Sequence, residues 1–140
     1  MRRRIAILLL PLLALALTCA GGAWLALRPP VARYVVPGAR GVRVRDAGAG
    51  ERYITYDAPG DRYAWYFAVA SDLERSGWIP PDKWGPKEQI NTYRRVRPIW
   101  GGYGGYLWEQ VELRGEPNQA RIALRRWFTF PWRRYLDYFR

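Results

Sequence analysis

Apolar residues run from Ile5 to Leu27, 23 positions without a single charge. As a helix this stretch is about 34 Å long, enough to cross a hydrocarbon core with slight tilt. Pro11, Gly21 and Gly22 do not forbid that reading, since membrane helices tolerate both residue types. Residues 28–40 then hold three prolines and no period, which predicts an extended tether. Gly41 to Arg45 alternates apolar and basic, Arg52 to Ala58 is rich in β-formers, and the small residues between them predict a hairpin turn. The period changes after Gly60. Tyr63, Tyr66, Val69, Ala70 and Leu73 fall on one helical stripe, with Trp65 and Phe67 on its flanks and Asp72, Glu74 and Arg75 turned away. Asp61 is the expected N-cap, Gly77 the expected left-handed residue after the helix, and Trp78 is placed to fold back on the stripe.

Ile79 to Asn91 carries three prolines and reads as a loop. Three β-prone runs follow, at Thr92–Trp100, Tyr106–Arg114 and Ala120–Phe130. In the second, Leu107, Glu109, Val111 and Leu113 alternate with Trp108, Gln110, Glu112 and Arg114; in the third, Ile122, Leu124, Arg126, Phe128 and Phe130 share one face. The predicted fold class is α+β: an N-terminal transmembrane helix, then one helix packed on an antiparallel sheet of four or five strands. The corresponding organisation is a basic stub at 1–4, a span at 5–27, a proline-rich tether at 28–40 and a small domain at 41–140. From 52 to 130, a strand, a helix closing on Leu73–Trp78 and several strands resemble small bacterial envelope domains of the helix-grip kind, as in lipoproteins of the outer-membrane assembly machinery. That resemblance rests on element order, with no shared motif, and implies an interaction module; it carries no functional residues over.

Composition narrows the chemistry. Eight Trp, ten Tyr and four Phe supply large side chains for a core, so a domain of this size can fold without staples. A single Cys excludes an internal disulfide, and the absence of His removes the commonest general base and zinc ligand. From Arg28 onward 20 basic residues face 12 acidic ones, which favours anionic surfaces. All but Lys83 and Lys87 are Arg, a skew spread along the whole chain that therefore marks no one site.

The fate of the apolar segment has three readings. A lipidation signal wants a small residue just before the cysteine and an aliphatic one three before it; Thr18 and Ala16 stand there, so Cys19 is a poor lipid acceptor. Cleavage after Ala20 satisfies the small-x-small rule, yet apolar sequence continues through Leu27. A retained anchor accounts for that continuation and leaves Trp24 at the outer interface, with Cys19 a small apolar residue of the helix. Arg2, Arg3 and Arg4 favour a cytoplasmic N-terminus and an extracytoplasmic domain, although Arg28, Arg33, Arg40, Arg43 and Arg45 crowd the other flank.

Two stretches invite functional readings. Trp100 to Trp108 is glycine-rich but lacks the Lys-Ser/Thr ending of a phosphate loop and precedes a strand, so it reads as a hairpin connection with Tyr103 exposed at its tip. The last twenty residues interleave six arginines with aromatics. Arg121, Arg125, Arg126, Arg133 and Arg134, with Trp127, Trp132 and Tyr135, form a candidate surface for anionic lipid headgroups or an envelope polymer; the bland alternative is a last strand and tail whose aromatics finish the core. Nucleic acid is disfavoured by the expected location. Among carboxylates, Glu109 and Glu112 fall on opposite strand faces, while Asp57 and Asp61 suit turn and cap duties. No enzyme, metal, cofactor or small-molecule ligand is expected. The reading is a membrane-anchored extracytoplasmic module that binds an envelope protein or an anionic envelope component; the alternative is a cytosol-facing basic domain binding RNA or anionic headgroups.

Overall fold

Among the described residues, alternation and helical stripe resolve into one sheet and two α-helices, with a 3-10 turn at Ala32–Tyr34. A computed structural model describes residues 2–48, 50–82, 90–99 and 105–130. α1 covers Arg2–Leu27, β1 Arg40–Gly48, β2 Glu51–Asp57, α2 Ala64–Arg75, β3 Asn91–Pro98, β4 Tyr106–Glu116 and β5 Gln119–Thr129. The architecture is α+β: an apolar N-terminal helix, a second helix and a five-stranded antiparallel sheet in the order β1-β2-β5-β4-β3. α1 is long and apolar enough to cross a membrane.

Short connections and strand pairing set the register. Between β1 and β2, the Arg126 amide donates to the Gly50 carbonyl at 2.7 Å, and a Cβ on Gly50 would strike the Arg126 carbonyl. β4 turns into β5 through Pro117 and Asn118, the latter at φ 56, a conformation Asn tolerates better than most residues. β3 pairs with β4 from Asn91↔Leu113 to Pro98↔Tyr106, so the glycine-rich stretch joins two paired neighbours. Tyr103, expected at its tip, lies outside the described residues.

α2 crosses one face of the sheet, here called the inner face. Trp65, Tyr66, Val69, Ala70 and Leu73 are buried against Ile54, Tyr56, Tyr93, Val111, Leu113, Ile122 and Leu124. Trp65, expected on a flank, is 1% exposed: its ring meets Tyr56 and Tyr66 edge-on at 6.4 and 5.9 Å, and its indole N–H donates to the Glu116 carbonyl. The helix ends as its glycine suggests. Gly77 has φ +75, its amide donates to the Glu74 carbonyl, and the Trp78 amide donates to Leu73, the paired bonds of a Schellman cap. The start differs from expectation. Tyr63, half-buried against the core, occupies the cap position with no side-chain bond, while the Asp61 carboxylate accepts from the Arg62 amide outside the helix.

Residues 28–36, expected as a tether, lie on the inner face. Pro29 and Tyr34 are buried, Val31, Val35 and Val36 pack on the core, and the Tyr56 hydroxyl donates to the Tyr34 carbonyl at 3.0 Å. Arg33 clips the segment to the end of α2 through Asp72 and Ser76. Apolar side chains at Val31, Tyr34 and Val35 outweigh the prolines that suggested a free run.

Candidate functional site

Consecutive residues of a strand point to opposite faces, so β5 separates the two arginines that the sequence puts side by side. Arg126 points inward and is not a surface cation. It meets Glu109 at 2.5 Å, and Arg95 and Arg97 reach the other carboxylate oxygen at 2.8 and 3.2 Å. Glu109 is 4% exposed, the centre of a three-arginine cluster on the inner face. Arg126 also donates to the Ala26 carbonyl at 2.8 Å, holding the last turn of α1, where unsatisfied carbonyls attract cations. Arg52 supports the same junction through the Pro29 carbonyl and Asp46, and Asp46 pairs again with Arg28. The hydrogen bonds from Arg52 and Arg28 hold the Asp46 carboxyl below its ordinary range. The sequence did carry a signal for this cluster: Glu109 and Arg126 each occupy the otherwise apolar phase of their strand.

Arg125 and Arg121 point outward, to a face that α2 does not cover. Pairing aligns Arg43, Thr55, Arg121 and Arg114 in one row across four strands. Arg121 meets Glu116 at 3.0 Å, whereas the side chains of Arg43, Arg45 and Arg114 have no ion-pair or hydrogen-bond partner among the described residues. Like charges directly opposite one another, as at Arg114 and Arg121, oppose sheet formation unless something neutralises them. Arg125 is bound on two sides, by Glu51 at 2.8 Å and Glu112 at 2.9 Å. The hydrogen bond from Arg125, then that from the Tyr53 hydroxyl, lowers the Glu51 carboxyl, and Glu51 in turn raises Arg125.

These residues surround a shallow depression of about 270 Å³ lined by Tyr53, Thr55, Glu112, Arg114, Arg121 and Arg125. It adjoins a broader concavity over β1, which shares Tyr53 and Thr55 and adds Arg43 and Arg45. The arrangement offers guanidinium donors and one exposed phenol ring to an extended anion lying across the strands.

Of the residues singled out from sequence, Arg121 and Arg125 belong to this face and Arg126 to the inner cluster. Trp127 lies on the outer face near the end of β5, stacked on Trp108 at 6.0 Å and 38% exposed. Arg133, Arg134, Trp132 and Tyr135 lie outside the described residues. Cys19 is an exposed residue of α1. The missed members are Arg43, Arg45 and Arg114, whose alignment arises from pairing between strands distant in sequence. Glu109 and Glu112 lie on opposite faces of β4, Glu109 on Arg126 of the inner cluster and Glu112 on Arg125 of the outer face. Comparison with protein-family models, with characterised proteins and with solved structures finds no match to this chain.

Proposed function

We propose that the protein is a single-pass membrane protein whose domain faces away from the cytoplasm and works by binding, its outer sheet face taking an anionic component of the cell envelope. The observation that carries this reading is the cross-strand row of Arg43, Arg121 and Arg114, two of them without a counter-ion among the described residues, beside a depression that Tyr53 and Thr55 line. Arginine suits phosphate and carboxylate because its planar fork binds them with two donors. The three basic residues at the N-terminus support the outward orientation.

The probe is inorganic polyphosphate titrated onto the full chain in zwitterionic nanodiscs. Binding is expected at low salt and is expected to fade as salt is added, since exposed charges are screened. Replacing Arg43, Arg114 and Arg121 together by Gln should weaken it about 10- to 100-fold, at roughly 0.5–1 kcal/mol per exposed contact. An unchanged triple variant, or no binding at low salt, rejects the anion site. A reporter fused to the C-terminus tests orientation separately: activity only in the cytoplasm favours the inward-facing alternative.

A further inference from the structure

Three contacts record the path of the chain as it leaves α1. Arg126 holds the Ala26 carbonyl, Arg52 the Pro29 carbonyl and Tyr56 the Tyr34 carbonyl. Arg52 pairs with Leu124 and Tyr56 with Ala120, so the levels reached on β5 are 126, 124 and then 120. The chain therefore descends the inner face from the end where β5 finishes to the end where it begins. α1, exposed from Pro11 to Ala26, leaves the domain at the finishing end.

That end, where β3, β4 and β5 run past β2, is largely apolar, Arg97 on the edge strand β3 being the charged member of its inner row. On the outer side Val96, Trp108 and Trp127 form one cross-strand row; on the inner side Leu107 pairs with Phe128, one level beyond Glu109 and Arg126. Val96 is 37% exposed, Trp127 38% and Phe130 52%. Cations flank this rim. Arg28 sits 4.9 Å over the Trp24 ring at the end of α1, and the Arg97 side chain is 55% exposed. Elsewhere on the outer face arginines and carboxylates dominate, so the apolar rim coincides with the exit of the apolar helix.

We infer that this rim is a second membrane contact: Trp127 and Phe130 sit in the headgroup layer at the mouth of the span, with Arg28 and Arg97 beside lipid phosphates. The domain thus rests on the bilayer instead of standing above it. Aromatic rings favour that depth, and exposed arginines near an anionic surface add to the attraction. The lipid surface is the fitting partner because the bond from Arg126 to Ala26 keeps the rim within a side chain's reach of the helix end. This inference rests on the reading that α1 is retained in the bilayer.

The experiment uses the full chain in vesicles of phosphatidylcholine and phosphatidylglycerol, with nitroxide labels whose collisions with oxygen and with a water-soluble nickel chelate report depth. Native Cys19 reports the span. In a Cys19→Ala background, Val96→Cys reports the rim on β3 and Phe130→Cys the rim just past the end of β5, while Asn118→Cys reports the opposite end of the domain. A label at 19 in hydrocarbon, labels at 130 and 96 at headgroup depth and a label at 118 in water are expected. If 19 is in hydrocarbon but 130 and 96 are as accessible to nickel as 118, the rim contact is overturned while the span stands; shielding of only one rim label overturns it equally. If 19 is in water, the span fails and the rim inference with it.

Discussion

Among the described residues, Glu109 is the one on which the largest number of charges converge. Its burial is tolerable only because Arg95, Arg97 and Arg126 surround it, and the partners are not equal: the Arg95 and Arg126 side chains are 15% and 16% exposed, whereas Arg97 is 55% exposed. Removing the carboxylate strands two poorly solvated guanidinium groups. Glu109→Ala should therefore destabilise the domain by about 3–5 kcal/mol, the scale for breaking one side of a buried pair. Arg97→Ala should cost about 1 kcal/mol or less, since a solvated partner contributes little. Denaturant titrations of both variants check the contrast, and equal losses would mean that Arg97 holds the carboxylate as firmly as Arg95 and Arg126 do. Tyr56 and Tyr93 show the neutral counterpart: burial raises both phenols, Tyr56 to about 12, so each is held in its uncharged form.

At the scale of elements, Gly105 governs how β4 begins. Its φ is +94, and a Cβ there would meet the Thr129 carbonyl, so Gly105→Ala faces both a disfavoured dihedral and a clash with the neighbouring strand. A loss of about 1–3 kcal/mol is expected, read as a lower Tm, whereas Gly77→Ala has open space around it and only the dihedral cost to bear. Most of these elements were legible in the sequence. Alternation in β4 and β5, the α2 stripe and the glycine ending α2 are local signals, with periods of two or 3.6 residues. The insertion of β5 between β2 and β4 was not legible, because strand order is set by contacts between residues far apart in the chain. The candidate face inherits that blindness. Arg121 was visible within a basic stretch, but nothing local announces that Arg43 and Arg114 share its row. The N-cap departs from its local signal for a different reason: Asp61 has the right chemistry, but Tyr63, packed on the core, holds the cap position.

On the scale of the whole molecule, the inner face does two jobs, carrying α2 over the core and receiving the chain that descends from α1. Among the described residues no helix covers the outer face, whose arginines are aligned by pairing at levels apart from the Val96–Trp108–Trp127 row. The seating of residues 29–36 also fixes where the chain can be shortened. Composition recommends a cut near Gly41, after the last of the three clustered prolines, yet Tyr34 is 4% exposed and would be lost, uncovering Tyr56 and Trp78. A soluble version starting at Gly41 should be less stable than one starting at Arg28 by about 3 kcal/mol or more, the usual cost of deleting a buried aromatic side chain. Thermal melts of the two fragments would show it, and matching melts would mean that the segment only rests on the core. For anyone preparing the domain without its helix, the useful boundary is therefore the end of α1, thirteen residues upstream of the one the prolines suggest.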